Sequence, residues 1–132
     1  MYQNAASSLG IGNSDGAAMA FQVENFDTDG FHDNVTNNSR LTIPTTGLYL
    51  VGGAVKFNSS NDRVKAQIKL NGTTFIAGCG FTGGNGITPM AAVSILYNFT
   101  AGDYVELFGA TLSSGQSSSG DSMTNFWITS ID

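Results

Sequence analysis

The sequence predicts an all-β domain, an antiparallel sandwich or jelly roll of seven or eight short strands. Three observations carry this. Gly, Ser, Thr and Asn make up 56 of the 132 residues, whereas a helical bundle is built from Ala, Leu, Glu and Lys. Apolar residues still reach 41% while charged ones are only 11%, which separates the chain from disordered acidic segments. Runs rich in Val, Ile, Phe, Tyr and Thr recur between clusters of Asp, Asn, Gly and Ser, and no stretch has the period of an amphipathic helix. At 132 residues the chain fits a single domain, 1–132, because a second core would leave each half too small to bury one.

In chain order, residues 1–16 are small and polar and read as an N-terminal arm or a first strand. Strand candidates follow at 17–23, 39–43 and 47–57. The clearest is 64–70, where Val64, Ala66, Ile68 and Leu70 alternate with Lys65, Gln67 and Lys69, a period of two that puts the two sets on opposite faces. It ends at Asn71-Gly72, a pair suited to a type I′ turn because both residues tolerate positive φ, so 73–77 returns antiparallel. Further candidates are 88–99, 103–112 and 123–131. The stretches 78–86 and 113–120 are Gly- and Ser-rich and read as loops. The expected core is Val64, Ala66, Ile68 and Leu70 against Leu48, Leu50, Val93, Ile95, Val105, Leu107, Phe126 and Ile128, with Arg63, Lys65 and Lys69 pointing out.

Five basic and ten acidic residues give a net charge of −5, which argues against nucleic acid and anionic membrane surfaces as partners. The first twenty residues hold no Lys or Arg and no sustained apolar run, so neither a signal peptide nor a membrane span is expected. Cys79 is the only cysteine. It rules out an internal disulfide and reads as a small buried apolar residue.

Few residues suit catalysis. His32 is the only histidine, so any triad or multi-histidine metal site would rest on it alone. Asp27, Asp29 and Asp33 surround it and are the weak candidates for a divalent cation. Gly30 is fourth from Asp27, however, where an EF-hand loop needs glycine sixth, and hydrogen-bonded turns are the ordinary use of such residues. Glu24 and Glu106 are the only glutamates, and nothing places them across one cleft as a glycosidase would need. The glycines of 78–86 lack the Lys-Ser/Thr of a phosphate-binding loop. No enzymatic activity and no cofactor are expected. Arg63, Lys65 and Lys69, joined by Lys56, gather most of the positive charge into a stripe. It is either a solvated face that discourages edge pairing or a partner surface.

The order of segments resembles the complement C1q/tumour necrosis factor superfamily. Phe26-Asp27-Thr28 and Gly30-Phe31-His32-Asp33 look like its early F-D/N-T and G-H-Y-D elements. Residues 39–57 resemble its strand, P-x-x-G-x-Y turn and second strand, with Pro44, Gly47 and Tyr49 in the matching places. Ala101-Gly102-Asp103-Tyr104-Val105 looks like its x-G-D-x-V turn, and 124–131 like its last strand. The start, Tyr2-Gln3-Asn4-Ala5 with Ser8-Leu9, is similar to the shorter modules of tailed phages and bacteria. The resemblance implies a jelly roll closed as a homotrimer. The interface would be the face opposite the core, carrying Gly52, Met90, Ala92, Ser94, Leu96, Asn125 and Trp127. It implies a virion structural protein of a tailed phage, a capsid decoration protein or the knob of a head or tail fibre, touching other virion proteins. The alternative is a glycan- or receptor-binding adhesin module, extracellular or on a cell surface.

Overall fold

The computed structural model describes residues 1, 10–11, 16–57, 63–82, 89–111 and 123–131. Among them lie ten strands: β1 (Gly10–Ile11), β2 (Ala17–Ala18), β3 (His32–Asp33), β4 (Asn37–Thr42), β5 (Gly47–Lys56), β6 (Arg63–Leu70), β7 (Thr74–Thr82), β8 (Met90–Phe99), β9 (Tyr104–Thr111) and β10 (Asn125–Ser130). No described residue is helical. One sheet runs β3-β4-β9-β6-β7, with β1 and β2 also pairing β9, and a second runs β10-β5-β8. Pairing is antiparallel throughout except for the short contact of β1 with β9. From β4 onward only the β6–β7 hairpin stays within one sheet; every other connection changes sheet.

The hairpin forms where the alternation and the turn chemistry agree. Asn71 has φ 50° and Gly72 has φ 67°, the left-handed pair that a type I′ turn demands. This turn is pinned to a second one. Asn71 Nδ2 donates to Asp103 Oδ1 at 2.8 Å and Asn71 Oδ1 accepts from the Tyr104 amide at 2.9 Å. The second turn carries Gly102 at φ 91°, and Asp103 Oδ2 accepts from the Thr100 amide at 2.8 Å. The turn before β5 is closed by its own strand, since the Tyr49 hydroxyl donates to the Thr45 carbonyl at 2.7 Å. β7 is longer than expected. Gly78, Cys79 and Gly80 continue the strand instead of forming a loop, because each still has a partner on β6. The remainder of the loop expected at 78–86, from 83 on, the loop at 113–120, and most of 1–16 lie outside the described residues.

The two sheets share one core. Val64, Ala66 and Ile68 of β6, Val105 and Leu107 of β9 and Phe126 of β10 are buried in it as expected, with Leu70, Val93, Ile95 and Ile128 packed at its margin. Each large apolar side chain so buried is worth about 1.5–3 kcal/mol. Rings fill the centre, with Phe21 stacked on Phe126 at 5.9 Å and Tyr49 edge-on to Phe99 at 6.1 Å.

The register of β5 differs from expectation. Tyr49, Val51 and Val55 face the core, whereas Leu48 and Leu50 share the outward face with Gly52 and are only half-buried. The run Leu48-Tyr49-Leu50-Val51 is apolar at every position, so alternation does not fix its parity. The aromatic ring and the β-branched side chain take the inside. Cys79 is also corrected, since it is exposed rather than buried. It sits on β7, which among the described residues pairs with β6 alone.

Candidate interaction face

The outward side of the three-stranded sheet is where the sequence expectations converge. β5 is its central strand, and its register aligns the outward residues into rows. Trp127, Gly52 and Ser94 form one row, Asn125, Ala54 and Ala92 the next, and Thr129, Leu50 and Leu96 a third, while Lys56 pairs with Met90. All seven residues expected at an interface, Gly52, Met90, Ala92, Ser94, Leu96, Asn125 and Trp127, thus share one face.

That face is apolar and largely uncovered. Leu96 is 54% exposed, Met90 47% and Trp127 39%. Met123 and Ile131, at either end of β10, are exposed as well. Lys56 is the one charged residue in these rows. Large apolar side chains gathered on one surface with little charge are the usual mark of an association surface.

The centre of the face is shaped by small residues. The Trp127 indole lies over Gly52, and a β-carbon at 52 would collide with its Cζ2, Cε2 and Cη2 atoms. Beside the ring is a hollow of about 250 Å³ floored by Ala54 and Ala92 and bordered by Ser94, Asn125 and Trp127. A smaller cavity of about 60 Å³ lies at the Trp127 edge between Phe26, His32 and Phe126, room for one or two waters.

The acidic segment before β4 serves local structure. Asp27 Oδ1 accepts from the Phe31 amide at 2.9 Å and Oδ2 from the His32 amide at 3.0 Å. Asp33 Oδ1 accepts from the Val35 and Thr36 amides, each at 3.0 Å. The Thr36 amide, then that of Val35, holds the Asp33 carboxyl below the usual carboxylate range. Asp29 is exposed, and no metal-holding group of three His, Cys, Asp or Glu occurs among the described residues. The sequence did not anticipate the His32 environment. The imidazole is buried, with Nδ1 at 2.7 Å from Glu24 Oε1 and Nε2 at 3.2 Å from the Asn38 carbonyl, so both ring nitrogens face oxygen. Seven residues of irregular chain separate Glu24 from His32, and no periodicity announces such a pair.

The basic stripe divides. Arg63, Lys65 and Lys69 lie on the outward side of β6, but Lys56 is on the other sheet, beside Met90. The Lys69 ammonium rests over the rings of Phe75 at 4.5 Å and Phe108 at 4.7 Å. Arg40 lies over Tyr104 at 4.1 Å and its Nε is 3.4 Å from Glu106 Oε1, which also accepts from Ser39 Oγ at 2.7 Å. Glu106 is buried by this network, on the sheet opposite the one that carries Trp127.

No protein-family model matches the sequence, and no curated protein matches it.

Proposed function

We propose that this chain is a non-catalytic structural domain that closes into a homotrimer through the outward face of its three-stranded sheet. Its place is the virion of a tailed phage, as a capsid decoration protein or the knob of a head or tail fibre. The observation that carries the reading is the apolar face itself: Trp127, Leu96 and Met90 stand exposed around a floor of Gly52, Ala54 and Ala92. Burying such a surface against copies of itself removes apolar area from water without stranding many charges. The jelly-roll assignment is supported by the alternation of consecutive strands between the two sheets and by the ordered motifs that resemble the C1q/tumour necrosis factor superfamily.

Light scattering after size exclusion tests the assembly. A particle of about three times 13.8 kDa is expected, and Ala92→Arg, which sets a cation into the hollow, is expected to yield monomers. Folded wild-type monomer at micromolar concentration would overturn the trimer. The biological setting is tested by location: a decoration or fibre protein purifies with virions. Absence from virions together with binding of the isolated protein to host glycans would replace this reading with the adhesin.

A further inference from the structure

β7 closes one end of the seven-stranded sheet, with β6 on one side and no strand on the other among the described residues. Edge strands are ordinarily guarded by charge, proline or a bulge, because their free N–H and C=O groups pair with any extended chain. The nine residues Thr74–Thr82 contain no charged residue and no proline, and Gly78, Cys79, Gly80 and Thr82 are exposed. The one irregularity in its pairing falls at Ile68/Lys69, next to the hairpin turn. The lysines that would guard such an edge are one strand further in, on β6, which is paired on both sides.

The glycines give this edge a direction of charge. On the outward face Gly80 stands opposite Lys65 and Gly78 opposite Gln67. A β-carbon at 80 would meet nothing nearer than the Val64 carbonyl at 3.8 Å, so the space above it is open. No carboxylate lies within ion-pairing distance of Lys65 or Lys69 among the described residues. A strand added beyond β7 would lie two strand spacings, about 9.5 Å, from β6. Its outward side chains would face Lys65 with no β7 side chain at Gly80 between them.

We propose that the β7 edge is a strand-addition site for an extended segment of a partner protein that carries acidic residues at alternating positions. Main-chain hydrogen bonds to β7 supply the affinity, and acidic side chains passing over Gly80 to Lys65, flanked by Lys69, supply the selectivity. A second copy of this chain fits less well. Its own β7 has no carboxylate, and edge-to-edge pairing would bring two lysine-bearing β6 strands onto one sheet face with no acid between them. The site is on the sheet opposite the one that carries Trp127, and β7 runs close to β8, the edge strand of the proposed trimer face.

The test uses a labelled peptide of about ten residues alternating glutamate with valine and threonine, followed by fluorescence anisotropy and by amide chemical shifts. Saturable binding that shifts the amides of 74–82 is expected, weakened about tenfold by Lys65→Glu. Two control peptides decide the mechanism: one with lysine in place of glutamate, and one with the same glutamates but N-methylated along its pairing edge. Neither is expected to bind. No saturable binding of the acidic peptide, or equal binding of either control, would overturn the proposal. So would association of the protein with itself through 74–82 in the absence of peptide.

Discussion

Trp127 lies flat over Gly52, and the two residues are directly paired across β10 and β5. The ring occupies the volume where a β-carbon at 52 would sit, so this glycine is required by its neighbour and not by its backbone angles. The contact fixes the indole across the outward face and makes it one wall of the hollow beside Ala54 and Ala92.

Gly52→Ala is therefore expected to cost about 1–3 kcal/mol, the usual range for forcing an added carbon against a packed group. In a Trp127→Ala background the same change is expected to be near neutral, because the colliding ring is gone. A double-mutant cycle from denaturant unfolding reads the coupling. Additive effects would show that the ring does not rest on Gly52 in solution.

Neighbouring residues on β6 give a sharper contrast. Ile68 is fully buried, and Ile68→Ala is expected to cost about 2–5 kcal/mol. Lys69 points outward, yet its ammonium lies over Phe75 and Phe108, so Lys69→Ala is expected to cost about 0.5–1 kcal/mol, the range for an exposed cation over a ring. Thermal unfolding of the two variants, each compared with wild type, measures both. Equal losses would mean that the alternation of β6 is reversed.

How far the sequence carried the fold depends on how many independent signals met in each element. β6 and its hairpin were legible because strict alternation and an Asn-Gly turn agree, and the turn dihedrals follow. β8 and β10 were legible in parity, with Ala92, Ser94 and Leu96 outside and Val93 and Ile95 inside, so the outward residues of these two strands fall on one face. β5 was not, since four consecutive apolar residues leave two parities open, and Leu48 and Leu50 took the outer one. Gly78-Cys79-Gly80 reads as a loop by composition, because glycine propensity does not register that β6 is long enough to pair all three. The contacts of His32 with Glu24 and of Glu106 with Ser39 and Arg40 join chain segments by tertiary placement, which no local pattern encodes.

Tyr49 supplies a prediction about the turn before β5. Its ring is buried and its hydroxyl donates to the Thr45 carbonyl at 2.7 Å. Tyr49→Phe keeps the ring contacts with Phe31 and Phe99 and removes one hydrogen bond, so a loss of about 0.5–1.5 kcal/mol is expected. Amide exchange separates local from global effects. Faster exchange confined to residues 45–48 is expected, and a uniform increase across the core would assign the hydroxyl a wider role.

The acid limb of stability should carry a contribution from Asp33. The Thr36 and Val35 amides bond to the ionised carboxylate and hold its pKa below the usual range, so the proton binds more weakly in the folded state than in the unfolded one. The sign follows directly: the stabilisation is fully present above the unfolded value, about 3.9, and is lost as pH falls through the lower folded value. Asp33→Ala removes the oxygen that accepts from both amides. Its Tm is expected to lie below that of wild type at neutral pH, with the gap narrowing, but not closing, as pH falls from about 5 toward about 2. Asp33→Asn keeps a carbonyl acceptor at the same place without the charge, so it should sit between the two at neutral pH and meet wild type at the acid end. A Tm difference between wild type and Asp33→Ala that stays constant across this range would mean that the carboxylate charge contributes nothing there.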